Sequence, residues 1–263
     1  MKALTGLDKL KIRQSFAAAS GSYDGVADLQ RRVALALLSR MQDDDATDTV
    51  LDVGCGTGFL TRHLLSRLDC QTLVALDIAM PMLHRTRLNT GGGGAVCICA
   101  DAEKMPLHGA SVDKIVSNLA LQWCQALPAV FADFHHALKM DGRLIFSTFG
   151  PLTLQELKFA WASVDDYSHV NEFYSRTQIT RFLEDAGFQN VSTESVTYQS
   201  RYPSVMALMR ELKGIGAHNV TLGRNRNLTT RSQLQQMMAA YPRDCPEDII
   251  ASYEIIFVSA AKT

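Results

Sequence analysis

No run of about eighteen apolar residues occurs anywhere in the 263-residue chain, which argues against a helical membrane span. The opening stretch MKALTGLDKLKIRQSF mixes charged with apolar side chains and holds no apolar centre, so a secretory leader is not expected. Neither sign of charge is in excess. With 26 Lys and Arg against 27 Asp and Glu, the net charge of −1 gives no global pointer to nucleic acid or to a membrane. Cysteine is scarce: the six, at positions 55, 70, 97, 99, 124 and 245, include no C-x-x-C spacing. That argues against a zinc site or any other metal site and, with no leader, favours the reducing cytoplasm. Cys97 and Cys99, two apart in an apolar run, are expected to be buried thiols on one face of a strand. Apart from Gly91–Gly94, which should end a helix, there is no low-complexity tract and no repeat.

What is present is an ordinary globular balance, 47% apolar and 20% charged. A chain of this size can bury a large core without staples. A basic amphipathic helix is predicted over residues 8–19 and a second over 26–41. Strands and helices then alternate: strands at 49–53, 72–77, 95–99, 112–118 and 143–148, with helices at 59–68, 81–89 and 128–138 between them. This rhythm implies an α/β fold, a doubly wound and mostly parallel sheet covered on both faces. Residues 151–190 break it and read as a helical insertion after the fifth strand, with Gly187 as a C-cap. A strand near 191–199, helices at 203–213 and 231–240, a polar turn at 214–229 and a closing strand at 251–260 complete the chain.

The segment VLDVGCGTGFL is the most informative. A strand runs into Gly54-Cys55-Gly56-Thr57-Gly58 and a helix follows. Glycines let such a loop turn sharply and let a ligand approach with no Cβ in the way. In an open parallel sheet the loop lies outside the carboxyl ends of the strands, where ligands bind. The spacing is G-x-G-x-G and not the G-x-G-x-x-G of dinucleotide sites, and no basic residue stands ready for a pyrophosphate. Asp52, two residues before the first glycine, points to a cationic or donor-rich ligand. A nicotinamide enzyme is therefore disfavoured. Asp77 closes the second strand and can accept both hydroxyls of a ribose or cap the next helix. Asp101, after the third strand, can take an adenine amino group or be a loop carboxylate. Trp123 fits either the core or the site.

The D-V-G-C-G-T-G run resembles the first motif of the class I S-adenosylmethionine-dependent methyltransferases. Further stretches are more specific: S-F-x-x-A from Ser15, S-N-L-A-L-Q-W, F-S-T-F-G-P-L-T-L-Q-E-L-K, E-L-K-G-I-G-A-H-N and the closing A-S-Y-E. Together they resemble the malonyl-[acyl-carrier protein] O-methyltransferases of biotin synthesis, nearly end to end. The resemblance implies a seven-stranded Rossmann-like methyltransferase fold in one domain, 1–263. Its parts are an N-terminal helical lid at 1–48, a cofactor core at 49–149, the helical insertion at 150–190, and C-terminal strands with basic helices at 191–263. It implies S-adenosylmethionine as cofactor, held by Asp52, Gly54, Cys55, Gly56, Gly58, Asp77, Ile78, Asp101, Ala102, Asn118 and Leu119.

The implied reaction methylates the free carboxylate of a malonyl thioester on acyl carrier protein. A carboxylate is ionised at neutral pH, so no general base is needed. The enzyme has to position the reactants and exclude water. Tyr23 is expected in the lid over the site, with Arg13 and Gln14 as weaker candidates. Phe149 and Trp161 fit either the acyl side or the core. Between Arg201 and Arg243 stand seven Arg and Lys (Arg201, Arg210, Lys213, Arg224, Arg226, Arg231, Arg243) and one carboxylate, Glu211. Arg201, Arg210 or Lys213 is expected to reach inward to the malonyl carboxylate or the pantetheine phosphate, and the rest of the basic stretch to dock an acidic carrier protein. A methyltransferase for a free carboxylic acid or a quinone precursor is the alternative.

Overall fold

The computed structural model describes residues 6–41, 47–217, 229–243 and 248–263. Seven strands form one sheet in the order β3-β2-β1-β4-β5-β7-β6. They are β1 (Thr49–Val53), β2 (Thr72–Asp77), β3 (Val96–Cys99), β4 (Val112–Asn118), β5 (Leu138–Phe149), β6 (Gln189–Tyr202) and β7 (Ile249–Ala261). The first five pair in parallel, and β7 runs antiparallel to both β5 and β6. The mostly parallel, doubly wound sheet predicted from the alternating pattern is present.

Ten helices lie against it among the described residues. They are α1 (Lys9–Ala19), α2 (Tyr23–Val26), α3 (Asp28–Ser39), α4 (Phe59–Arg67), α5 (Met80–Asn89), α6 (Leu127–Ala137), α7 (Gln155–Ala162), α8 (Arg176–Asp185), α9 (Val205–Gly214) and α10 (Arg231–Ala240). The central strands are buried on both faces: consecutive residues of β1 and β2 are buried along almost their whole length. Successive β1 residues go to opposite layers. Val50 joins a cluster with Leu37 of α3, Leu64 of α4 and Leu157 of α7, while Leu51 joins one with Phe131 and Phe134 of α6 and Ile179 of α8. The two inserted helices α7 and α8 thus cover opposite faces of the sheet.

Three expectations need correction. The predicted helix 26–41 is two helices, broken at Ala27, whose ψ of +43° is not helical. β5 starts five residues early because a tight turn, with Asp141 at φ +61°, lets its N-terminal end pair with Val112. Cys97 is only half-buried and Cys99 is exposed, because β3 is an edge strand with a single partner. Gly187 does end α8, at φ +97°. Most of the polar turn predicted at 214–229, including Arg224 and Arg226, lies outside the described residues, as does Cys245. No helix among the described residues is long and apolar enough to cross a membrane.

Candidate active site

Three clefts converge at the carboxyl ends of β1, β2 and β4, roofed by α1 and α2. The first, about 670 Å³, runs from the glycine loop past Asp77 and Ile78 to Asp101 and Ala102. The second, about 450 Å³, lies between α2, α3 and the loop and reaches Asp52 and Cys55. The third, about 650 Å³, lies under α7 and α9. Tyr23 and Asn118 line the first and second clefts, Trp123 lines the first and third, and Gln30 the second and third. These four side chains mark a junction where a group held in one cleft can meet a group held in another.

The glycine loop makes the junction possible. Its Gly54 and Cys55 N–H groups donate to the Leu76 carbonyl at 2.7 and 3.0 Å, folding the loop across the end of β2. Gly54 has φ +70°, and a Cβ there would lie 2.2 Å from the Ala120 Cβ. Packing alone demands that glycine. Gly56 is different: it has φ +56°, and an added Cβ would meet no atom within 4 Å. It borders an open cradle, the room a ligand needs.

Asp77, at the end of β2, is 8% exposed. One carboxylate oxygen accepts the Gly56 N–H at 3.0 Å and the other the Ala79 N–H at 2.8 Å. Burial raises its pKa to about 6, and the backbone donors at Ala79 and Gly56 oppose that shift. Each oxygen retains a lone pair for a hydroxyl. Asp77 does not cap α5 by side chain; Ala79 holds the N-cap position. Asp52 is 1% exposed and accepts the Thr61 hydroxyl at 2.6 Å. Burial raises its pKa to about 7; the Thr61 bond opposes this and the Asp77 charge adds to it. Asp24, which accepts the Thr57 hydroxyl at 2.6 Å, brings a further carboxylate to the same cleft. A cleft with this acceptor set suits a cation.

At the end of β4, Leu119 sits at φ +48°, a region that leucine rarely adopts. Its N–H donates to the Ser147 carbonyl at 3.0 Å and hydroxyl at 3.1 Å. The Asn118 amide donates to the Gln30 carbonyl at 3.0 Å and accepts the Ser147 hydroxyl at 2.8 Å, so both its ends are committed to the scaffold. Such strain persists where surroundings over-determine it.

Sequence reasoning missed part of the roof. Lys9 and Phe16 of α1 line the first cleft, and Ile12 of the same helix is 3% exposed. Lys9 pairs with Asp101 at 2.9 Å and Glu103 at 2.5 Å, and Phe16 meets Trp123 edge-on at 5.4 Å. The i, i+4 spacing of Ile12 and Phe16 was the available signal. Tyr23 is half-buried at the junction, its phenol held protonated by burial and by the nearby Asp77 and Asp24 charges. Arg13 and Gln14 point outward and are exposed.

The expected substrate cations are not brought here. Arg201 on β6, and Arg210 and Lys213 on α9, are exposed and line none of the three clefts. High local charge density says nothing about which way each side chain faces. Phe149 lines the third cleft, whereas Trp161 is buried beneath it and stacks on His169, ring centroids 3.7 Å apart. Burial pushes the Cys55 thiol well up and Cys124 to about 12, so neither cleft thiol is a nucleophile at neutral pH. No group of three potential metal ligands occurs among the described residues.

The family described as "Methyltransferase domain" matches residues 51–146. Malonyl-[acyl-carrier protein] O-methyltransferase of Methylococcus capsulatus is 40% identical over 253 residues, covering 95% of this chain and 92% of that protein. Biotin biosynthesis bifunctional protein BioHC of Cellvibrio japonicus is 39% identical over 98% of this chain; the chain spans 51% of that protein. Among solved structures, a putative methyltransferase from Bacillus halodurans has a TM-score of 0.63 at 17% identity, covering 87% of this chain and 98% of the other. A Haemonchus contortus phosphoethanolamine N-methyltransferase 2 in complex with S-adenosyl-L-methionine has a TM-score of 0.54 at 16% identity, covering 87% and 52%. The fold is shared with these.

Proposed function

Because the chain belongs to the malonyl-[acyl-carrier protein] O-methyltransferase family, we propose that it methylates the free carboxylate of a malonyl thioester on acyl carrier protein, in biotin synthesis, with S-adenosylmethionine as methyl donor. The observation that carries the reading at the site is the junction of three clefts at Tyr23, Gln30, Asn118 and Trp123. Two clefts suit the two ends of the cofactor, and the third remains for the methyl acceptor.

S-adenosylmethionine supplies a methyl group on a sulfonium, which a carboxylate takes without any proton to remove. In this reading Asp77 accepts the ribose hydroxyls. Asp101 accepts the adenine amino group, with Ile78 and Ala102 against the ring. Gly56 leaves room for the backbone to approach, and Gly54, Cys55 and Gly58 shape the loop. Asp52 and Asp24 balance the ammonium of the amino-acid end. Asn118 and Leu119 form the rigid floor beneath the methyl, and Tyr23 and Trp123 wall it with aromatic faces, which favour a cation. The helices α1 and α2 act as a lid that excludes water. The catalytic contribution is positioning and desolvation, with no acid or base in the step.

The exposed Arg201, Arg210, Lys213, Arg231 and Arg243 support a docking face for an acidic carrier protein. Mass spectrometry of malonyl–acyl carrier protein incubated with enzyme and S-adenosylmethionine should detect the gain of one methyl. Methylation of free malonate with none of the carrier-bound acid would overturn the reading.

A further inference from the structure

The third cleft carries information about what lies beyond the reacting carboxylate. It joins the cofactor cleft at Trp123 and is walled by apolar side chains, Phe149 and Phe173 among them. Its polar lining is rich in acceptors. Glu211 accepts the Tyr202 hydroxyl at 2.7 Å on one oxygen, and its second oxygen has no partner among the described residues. Asn171 is 8% exposed, and its Oδ1 is enclosed with no hydrogen-bond partner among the described residues. A buried acceptor without a donor is costly, and a ligand N–H placed there recovers the cost.

The segment bearing Asn171 is held firmly. His169 meets Asp165 at 2.8 Å and stacks on Trp161, and the Ser168 hydroxyl donates to the Val170 carbonyl at 2.7 Å. Asn171 is therefore fixed before substrate arrives.

We propose that Asn171 is a specificity-determining residue whose Oδ1 receives the first amide N–H of the substrate's pantetheine arm, so that the third cleft holds the acyl thioester with its arm. The inference rests on the malonyl-carrier reading above. An ionised malonyl group has no donor: its carboxylate, methylene, carbonyl and thioester sulfur carry no polar hydrogen. Moving outward from the carboxylate, the amide N–H beyond the sulfur is the first donor met. The charge of Glu211 disfavours a carboxylate beside it, which orients the substrate with its acid at Trp123 and its amide at Asn171.

The test uses two competitors of malonyl–acyl carrier protein methylation: malonyl-N-acetylcysteamine, and its ketone isostere in which a methylene replaces the N–H. Competition requires no turnover of either. The wild-type enzyme should bind the amide about tenfold more tightly, the value of one net hydrogen bond. Asn171→Leu should abolish that preference by weakening the amide alone. Asn171→Ala serves if the leucine variant loses its melting transition or its affinity for S-adenosylhomocysteine. Equal inhibition of the wild type by both compounds, or a preference that survives in the variant, overturns the assignment of Asn171. Failure of the wild type to methylate malonyl–acyl carrier protein at all would instead overturn the underlying reading.

Discussion

The Lys9 ammonium lies 2.9 Å from the Asp101 carboxylate and 2.5 Å from Glu103, pinning the first helix to the loop that follows β3. The three side chains are 17–25% exposed, so the pair is partly shielded from water. It clamps the roof over the first cleft. Lys9→Met should weaken S-adenosylhomocysteine binding about fivefold, near the upper end for a partly exposed pair. Calorimetry checks this, and an unchanged Kd would detach the clamp from cofactor binding.

Asp77→Ala removes the acceptor proposed for the ribose. The loss should be about 1.5–3 kcal/mol of S-adenosylhomocysteine affinity, the range for hydrogen bonds to a charged group. The wild-type protein should show no NAD binding in the same calorimeter. Full affinity in the variant would move the ribose elsewhere.

The two buried carboxylates predict a pH dependence. Asp77 and Asp52 titrate at about 6 and about 7 in the folded protein, above the ordinary carboxylate range. The folded state therefore binds these protons more tightly than the unfolded state does. Their contribution to stability is greatest below the unfolded pKa and is lost as pH rises through the folded values. Asp52→Asn, which cannot ionise, should gain stability relative to wild type between about pH 5 and about pH 8 in urea melts. A constant difference across that range would mean that Asp52 is not raised.

Tyr23→Ala should lower turnover far more than it lowers Tm, because the ring walls the junction and is only half-buried. Activity that merely follows a fall in Tm would make Tyr23 a packing residue.

Charge reversal at Arg210 or Lys213 should raise KM for malonyl–acyl carrier protein and leave kcat near wild type. Both are exposed on α9 and outside the clefts. Raising salt several-fold above about 0.1 M should erase most of the difference, since screening then acts within about 10 Å. A loss of kcat on a short malonyl thioester would show that one of them reaches the reacting group after all.

The sheet and the cleft beside the glycine loop were legible because their signals are local. β1 and β2 carry short apolar runs bounded by turns, and Gly54 to Gly58 sit within one loop. The third cleft was not, apart from Phe149, which its place at the end of the fifth strand suggests. Asn171, Glu211 and Phe149 come from three distant segments, and only the packing of α7 and α9 brings them to one cleft. Lys9 was missed for the same reason, its partners lying some ninety residues away. Arg201 was misplaced because strand residues alternate between faces, and charge alone does not say which face a given residue takes. Cys99 was misjudged because β3 has only one neighbour, a fact of strand order that no local pattern contains.

That strand order also constrains how the protein is built. β7 lies between β5 and β6, although it is the last of the three to be synthesised. Among the described residues β6 pairs only with β7, a strand made two helices later. Tyr253 of the late strand also lines the third cleft. The half of the site proposed for the acyl group is thus assembled only after β7 has emerged from the ribosome, whereas the glycine loop and its flanking strands can form before it. A pulse-proteolysis series on stalled chains would register this as early protection of β1 to β5 and late, concerted protection of β6 and β7.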